Sequence, residues 1–189
     1  MRISRVQVYA LRYTLAGGAF TMSGGRVASE QDATVVRIET DDGLVGWGEQ
    51  CVFSPNFLPA HGGGARATLE LLAPAVLGAD PRQVEVVYAR MDAAVKGHPY
   101  AKSAIDIACW DLLGKATGLR VSDLLGGTFQ EDIPLYWGIG IAEPGRCAGA
   151  SRSRSRPATG RSSSRSARAG AKTSSASRRA SGRSATRSA

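Results

Sequence analysis

Ala33-Thr34-Val35-Val36-Arg37-Ile38, then Asp41-Asp42-Gly43, then Leu44-Val45-Gly46-Trp47-Gly48-Glu49 reads as two β-strands joined by a tight turn. β-branched residues favour the pleated conformation, and Asp-Gly supplies the positive φ that a short hairpin turn requires. Upstream, Val6, Val8 and Ala10 alternate with Arg5, Gln7 and Tyr9, the period of a third, half-buried strand. Three such segments imply a three-stranded antiparallel sheet. Between the first two lies Tyr13 to Arg26, which carries Gly17-Gly18 and Gly24-Gly25 and is expected to be a mobile loop. A second loop is expected from Gln50 to Gly64, with two prolines and three consecutive glycines.

Helices follow the strands. The first is expected over roughly Ala65 to Leu72, stopping or kinking near Pro74. Asp80-Pro81 offers an N-cap and a first-turn proline for a second, whose Val84, Val87, Tyr88, Met91 and Val95 form one apolar stripe before Gly97. The third runs from about Tyr100 to Thr117 and places Ala101, Ala104, Ile105, Ala108 and Leu112 on one face, small enough to permit close packing. A short helix over Ser122 to Leu125 precedes Gly126-Gly127, and Ile133 to Ile141 reads as a buried strand. The fold class is therefore α+β: a three-stranded antiparallel sheet followed by a helical bundle.

The composition changes abruptly after Gly145. Residues 146–189 contain 13 Ser, 11 Arg, 10 Ala, 4 Gly, 3 Thr and one each of Lys, Pro and Cys, with no acidic or large apolar side chain. Such a segment buries too little apolar surface to offset chain entropy, so it is expected to be disordered. Its 12 cations leave 12 basic and 16 acidic residues before it, so the first 145 residues carry a net −4 within a chain of +8. All of the tail except Lys172 is built from residue types whose codons carry G or C at the second position. A frame slip in a GC-rich gene would yield that composition, and the tail is read first as out of frame. The alternative is a small binding protein whose Ser151-Arg152-Ser153-Arg154-Ser155-Arg156 run engages nucleic acid. Against it, the tail has no aromatic residues to stack on bases.

No membrane span is evident, and the residues after Met1 enter a polar–apolar alternation instead of the apolar core of a secretory signal. Cys51, Cys109 and Cys147 show no paired spacing, which fits a reduced, cytoplasmic setting.

Ala101 to Lys115 (AKSAIDIACWDLLGK) with Val121 to Gly127 (VSDLLGG) resembles the amino-terminal signature of the mandelate racemase/muconate lactonizing enzyme family of the enolase superfamily. Gly43 to Glu49 resembles the hairpin of that family, and the likeness runs from Met1 to about Gly145. Arg120 departs from the proline usual at its position. Within the family, Gly48 to Cys51, Pro55 to His61 and Gly97 to Lys102 are most similar to hydroxyproline-betaine epimerases and cis-3-hydroxyproline dehydratases.

The resemblance implies a capping domain over 1–127, the first strand of a (β/α)8 barrel over 128–145, and a barrel otherwise missing. Family chemistry abstracts the proton α to a carboxylate, with Mg2+ stabilising the enediolate. The lysine bases and the Asp/Glu/Glu metal ligands of the family belong to barrel strands. No catalytic or metal-ligating residue is therefore assigned in this chain, no cofactor is expected in it, and the fragment is expected to be inactive alone. The parent is implied to be a homo-oligomer that binds a small-molecule carboxylate, with no membrane partner.

What carries over is substrate selection by two loops, Tyr13 to Arg26 and Gln50 to Ala60. Phe20, Met22, Phe53 and Phe57 are the expected substrate contacts, with Arg26 as a carboxylate partner. Phe57 reads equally as a face for an ammonium group and as loop packing. A solvated loop charge is the simpler reading of Arg26. His61 and His98 are read as satisfied or exposed, not as metal ligands. Gly62-Gly63-Gly64 before Arg66 is read as a flexible hinge instead of an anion cradle. Asp106 and Asp111 point to different helix faces, and Asp106 is expected to bond a neighbouring loop backbone.

Overall fold

A computed structural model describes residues 1–15, 18–133, 138, 140 and 141. Strands β1 (Ile3–Thr14), β4 (Glu30–Thr40) and β5 (Val45–Cys51) form an antiparallel sheet in the order β1-β4-β5, and β2 (Phe20–Thr21) pairs with β3 (Val27–Ala28) in a separate two-stranded ribbon. Helices α1 (Gly62–Val76), α2 (Val84–Ala94), α3 (Pro99–Thr117) and α4 (Val121–Leu124) follow. The architecture is α+β, as the sequence implies.

The central hairpin forms where the Asp41-Asp42-Gly43 turn places it. Gly43 adopts φ +87° and its amide donates to the Thr40 carbonyl at 3.0 Å, a backbone that a side chain would strain. Pairing of Val36 with Gly48 and of Ile38 with Gly46 then sets the register. Because side chains alternate across a strand, Val36, Ile38, Gly46 and Gly48 share one face. That face meets the helices, and Val36 and Ile38 are fully buried beside Leu69, Leu72, Met91, Ile105 and Leu112. Each such aliphatic side chain contributes about 1.5–3 kcal/mol.

Helix α3 follows its expected face: Ala101, Ala104, Ile105, Ala108 and Leu112 are all buried. Its backbone lies directly on β5. A Cβ at Gly48 would land on the Ala104 carbonyl oxygen and 2.9 Å from the Ala108 nitrogen, and one at Gly46 would strike the Ala108 carbonyl and the Leu112 side chain. The outer rim of β5 is also bonded: the Trp47 amide donates to Asp111 at 2.9 Å, and Lys115 Nζ to the Val45 carbonyl at 2.7 Å. Asp111 is thus the residue that ties helix to backbone. Asp106, expected in that role, has no hydrogen-bond partner among the described residues, and burial followed by Glu85 raises its pKa. Lys102 is buried among the helices, its ammonium on Asp92 at 2.5 Å.

Several boundaries differ from expectation for identifiable reasons. Val6, Val8 and Ala10 lie opposite Ile38, Val36 and Thr34 as the alternation implies, yet Val8 and Ala10 are exposed. β1 is an edge strand, and α3 packs chiefly on β5. Helix α1 starts at Gly62, because His61 Nδ1 accepts the Gly64 amide at 3.1 Å and caps the helix. The triple glycine is therefore a first helical turn and not a hinge. Pro74 does not stop α1. It sits in the last turn, where only one ladder bond is lost, and Leu72 and Val76 on either side are fully buried.

Asp80-Pro81 does not cap α2 directly. Asp80 instead closes a turn, accepting from the Arg82 amide at 3.0 Å, and the helix begins at Val84. Arg120 stands before α4 and pairs with Asp123 at 2.9 Å. Of the strand expected over Ile133 to Ile141, residues 134–137 and 139 lie outside the described residues, as do residues 142–189. Its two described isoleucines are not buried: Ile133 is 71% exposed and Ile141 62%. Among the described residues there is no (β/α)8 barrel, and no helix is long and apolar enough to cross a membrane.

The β5–α3 contact predicts that Gly48→Ala lowers unfolding free energy by about 1–3 kcal/mol, since the added methyl meets backbone that cannot swing aside. Urea unfolding followed by tryptophan fluorescence measures this. An unchanged midpoint would show that the helix stands further from the sheet.

Candidate functional site

The described residues between Tyr13 and Arg26 include paired strand, where a loop was expected. β1 continues through Thr14, and Phe20-Thr21 pairs with Val27-Ala28. The ribbon turns through Gly24 and Gly25, whose φ values of +73° and +72° are open to glycine with little strain, and the Met22 amide closes the turn on the Arg26 carbonyl at 2.8 Å. On the other side, the chain after β5 turns tightly at Ser54-Pro55-Asn56-Phe57. The Phe57 amide donates to the Ser54 carbonyl at 2.9 Å, with proline at the second position of the turn.

These two segments face each other across a pocket of about 370 Å³ lined by Phe20, Thr21, Met22, Ser23, Arg26, Asn56, Phe57 and Ile141. Four of the five expected contacts, Phe20, Met22, Arg26 and Phe57, therefore converge. The fifth, Phe53, does not line the pocket. It lies behind the wall and meets Phe20 and Phe57 edge-on. Phe57 is 70% exposed, so the pocket is open on that side. Arg26 is exposed too, and among the described residues no carboxylate lies within ion-pair distance of it.

Sequence reasoning missed Thr21, Ser23, Asn56 and Ile141. Asn56 adjoins Phe57 in the recognised loop, so its signal was available. Ile141 was not visible, because its place depends on a long-range bond from its amide to the Thr21 carbonyl, 2.8 Å. A Cβ at Gly138 would touch the Phe20 ring at 3.4 Å, and one at Gly140 would crowd the Thr21 amide at 2.9 Å. Gly138, Gly140 and Ile141 thus approach β2 closely.

The base of the loop is held by charge. Arg66 donates to both carboxylate oxygens of Asp32, at 2.9 and 3.0 Å, and to Thr34 Oγ1 at 3.2 Å. The guanidinium is committed to that pair and is not a free anion site. Gly62 fits only because it has no side chain, since a Cβ there would run into the Asp32 carboxylate. The Arg66 hydrogen bond is the main cause that holds the Asp32 carboxyl below the usual carboxylate range. On the outer sheet face, the Tyr13 hydroxyl and Cys51 thiol lie 3.4 Å apart, and this contact is the main cause raising Tyr13 to about 12. His98 Nδ1 lies 3.4 Å from Thr68 Oγ1 at the start of α3. Among the described residues no three His, Cys, Asp or Glu side chains converge to hold a metal ion.

Residues 5–126 match the family model for the mandelate racemase/muconate lactonizing enzyme N-terminal domain. The chain belongs to the mandelate racemase/muconate lactonizing enzyme family. It is 45% identical over 144 residues to the cis-3-hydroxy-L-proline dehydratase of Roseibium aggregatum, covering 76% of this chain and 39% of that protein. To the N-succinyl-L-Arg/Lys racemase of Bacillus cereus it is 33% identical over 144 residues, with 76% and 38% covered. A solved structure of the Bacillus cereus racemase superposes with a TM-score of 0.75 at 34% identity, covering 81% of this chain and 41% of that one. An enolase-superfamily member from Roseovarius nubinhibens, complexed with magnesium, gives 0.70 at 41% identity, with 80% and 41% covered. The chain spans about two fifths of the length of these relatives.

A prediction follows from the Asp32–Arg66 pair of this family member. The folded pKa of Asp32 is depressed, so its stabilisation is present above an unfolded-state value of about 4 and is lost as pH falls through the lower folded value. Asp32→Asn should flatten the acid limb of the stability profile below about pH 4 while leaving a uniform offset above it. Chemical unfolding at stepped pH reads both, and an acid limb identical to the wild type would remove the pair from the account.

Proposed function

We propose that residues 1–127 are the capping domain of an enzyme that removes the proton α to the carboxylate of an amino-acid-like substrate of hydroxyproline or proline-betaine type. The observation that carries this reading is the convergence of Phe20, Met22, Arg26 and Phe57 on one pocket. Its apolar rings suit a saturated ring or an ammonium face, and the free guanidinium suits a carboxylate. Support comes from the 45% identity to a protein named cis-3-hydroxy-L-proline dehydratase. Leu125, Phe129 and Ile133 stand 67%, 102% and 71% exposed, three large apolar side chains suited to cover by further structure.

In this reading the cap binds, orients and excludes water, while proton transfer and metal binding belong to a barrel. Residues 128–145 would begin that barrel. The described residues offer no metal ligand set, so no catalytic step is assigned to them. Residues 146–189 are read as an out-of-frame product, supported by their lack of any carboxylate and by their codon-type bias. The chain alone is then inactive.

Sequencing the gene through the codons for Glu143 to Arg152 and several hundred bases beyond tests this directly. A one-base change should restore a frame that encodes a Lys-x-Lys strand and later Asp and Glu residues. The restored protein with Mg2+ should exchange the α-proton of cis-3-hydroxy-L-proline or a proline betaine in D2O, read by NMR, and the 189-residue chain should not. Exchange by the short chain, or a gene with no such frame, would overturn the proposal.

A further inference from the structure

Phe53 is the one expected substrate contact that the fold withholds from the pocket, and its surroundings give it a different task. Its ring packs edge-to-face on Phe20 of the β2–β3 ribbon, with centroids 5.7 Å apart and planes at 84°. It packs the same way on Phe57 of the loop after β5, at 6.3 Å and 79°. No ring pair joins Phe20 directly to Phe57 among the described residues. The two aromatic walls therefore take their spacing from a shared partner. Such edge-to-face pairs are directional, because the positive ring edge seeks the negative face, so a shift of one ring is transmitted to the next.

Phe53 is itself tethered to the sheet. Its carbonyl accepts from Gln31 Nε2 at 3.3 Å, and neighbouring Val52 is buried. Gln31 is in turn buried at the end of β4, where its side-chain oxygen accepts from the Cys51 thiol at 3.5 Å. A rigid element thus fixes the backbone that carries the bridging ring, whereas Phe57 is mostly exposed.

We propose that Phe53 is a positioning residue that couples the β2–β3 ribbon to the Ser54–Leu58 turn, so that both walls of the pocket move together and their spacing selects the ligand. The selective consequence rests on the proposed function. The coupling does not, and it is measurable without any substrate.

Millisecond hydrogen exchange on the full chain tests it. Phe53→Leu keeps an apolar side chain but loses the edge-to-face geometry. The amides of Phe20–Ala28 and of Ser54–Leu58 should exchange about three- to tenfold faster together, while those of α3 keep their wild-type rates. Phe57→Leu should speed only the Ser54–Leu58 turn, and Phe53→Tyr should restore wild-type exchange in both segments. Wild-type exchange in the ribbon of Phe53→Leu would overturn the proposal. So would an equal acceleration in α3, which would make Phe53 a general packing residue, or an acceleration of the ribbon by Phe57→Leu. Because the tube holds no substrate, a failed coupling leaves the proposed reaction standing, and a failed reaction leaves the coupling standing.

Discussion

The backbone of α3 rests on β5 because β5 has no side chains where the two meet. Gly46 and Gly48 face the helix at the positions where Ala104 and Ala108 pass over the sheet, and a methyl group at either glycine would overlap helix backbone. Interiors are packed near crystal density, so such a contact cannot be loosened locally without moving the helix as a whole. With the helix seated, Ile105 and Leu112 reach the layer that holds Val36 and Ile38. Asp111 and Lys115 reach the outer rim of β5 from successive turns of the helix and satisfy Trp47 N and Val45 O, groups that an edge strand would otherwise leave to solvent.

The pocket inherits its geometry from that seating. β5 delivers the chain into the 52–61 segment at a fixed place, and β4 delivers Gln31 and Asp32 beside it. Asp32 holds Arg66 at the first turns of α1, so the segment is anchored at both ends while its middle presents Phe57. The β2–β3 ribbon hangs from the far ends of β1 and β4 and closes the other side. A pocket built this way has rooted ends and exposed tips, the usual arrangement of surface loops on a scaffold.

The strands, the Asp-Asp-Gly turn and the buried face of α3 were legible because each depends on local spacing: period two, a positive φ, and positions three and four apart. The helix starts were less legible. His61 caps α1 through its ring nitrogen, an uncommon cap that no simple Ser/Thr/Asp/Asn rule detects. Pro74 looked like a stop because propensity counts a lost bond, whereas the buried neighbours Leu72 and Val76 hold the last turn in place. The two aspartates of α3 were distinguished by face, yet which one bonds backbone depended on where β5 lies, and that is a tertiary fact.

Sequence alone determined the family, the α+β order of elements, the positions of the two loops, and the chemical break after Gly145, since all of these are written in residue type and spacing. Four of the residues that it offered as substrate contacts, Phe20, Met22, Arg26 and Phe57, line one pocket, because family resemblance placed their loops. Tertiary structure alone decided that Phe53 stands behind the pocket wall, that Ile141 joins it, and that Arg66 is already paired. Those outcomes depend on which residues distant in the chain approach within a few ångströms, a matter set by how α3 and β5 pack and not by any local pattern.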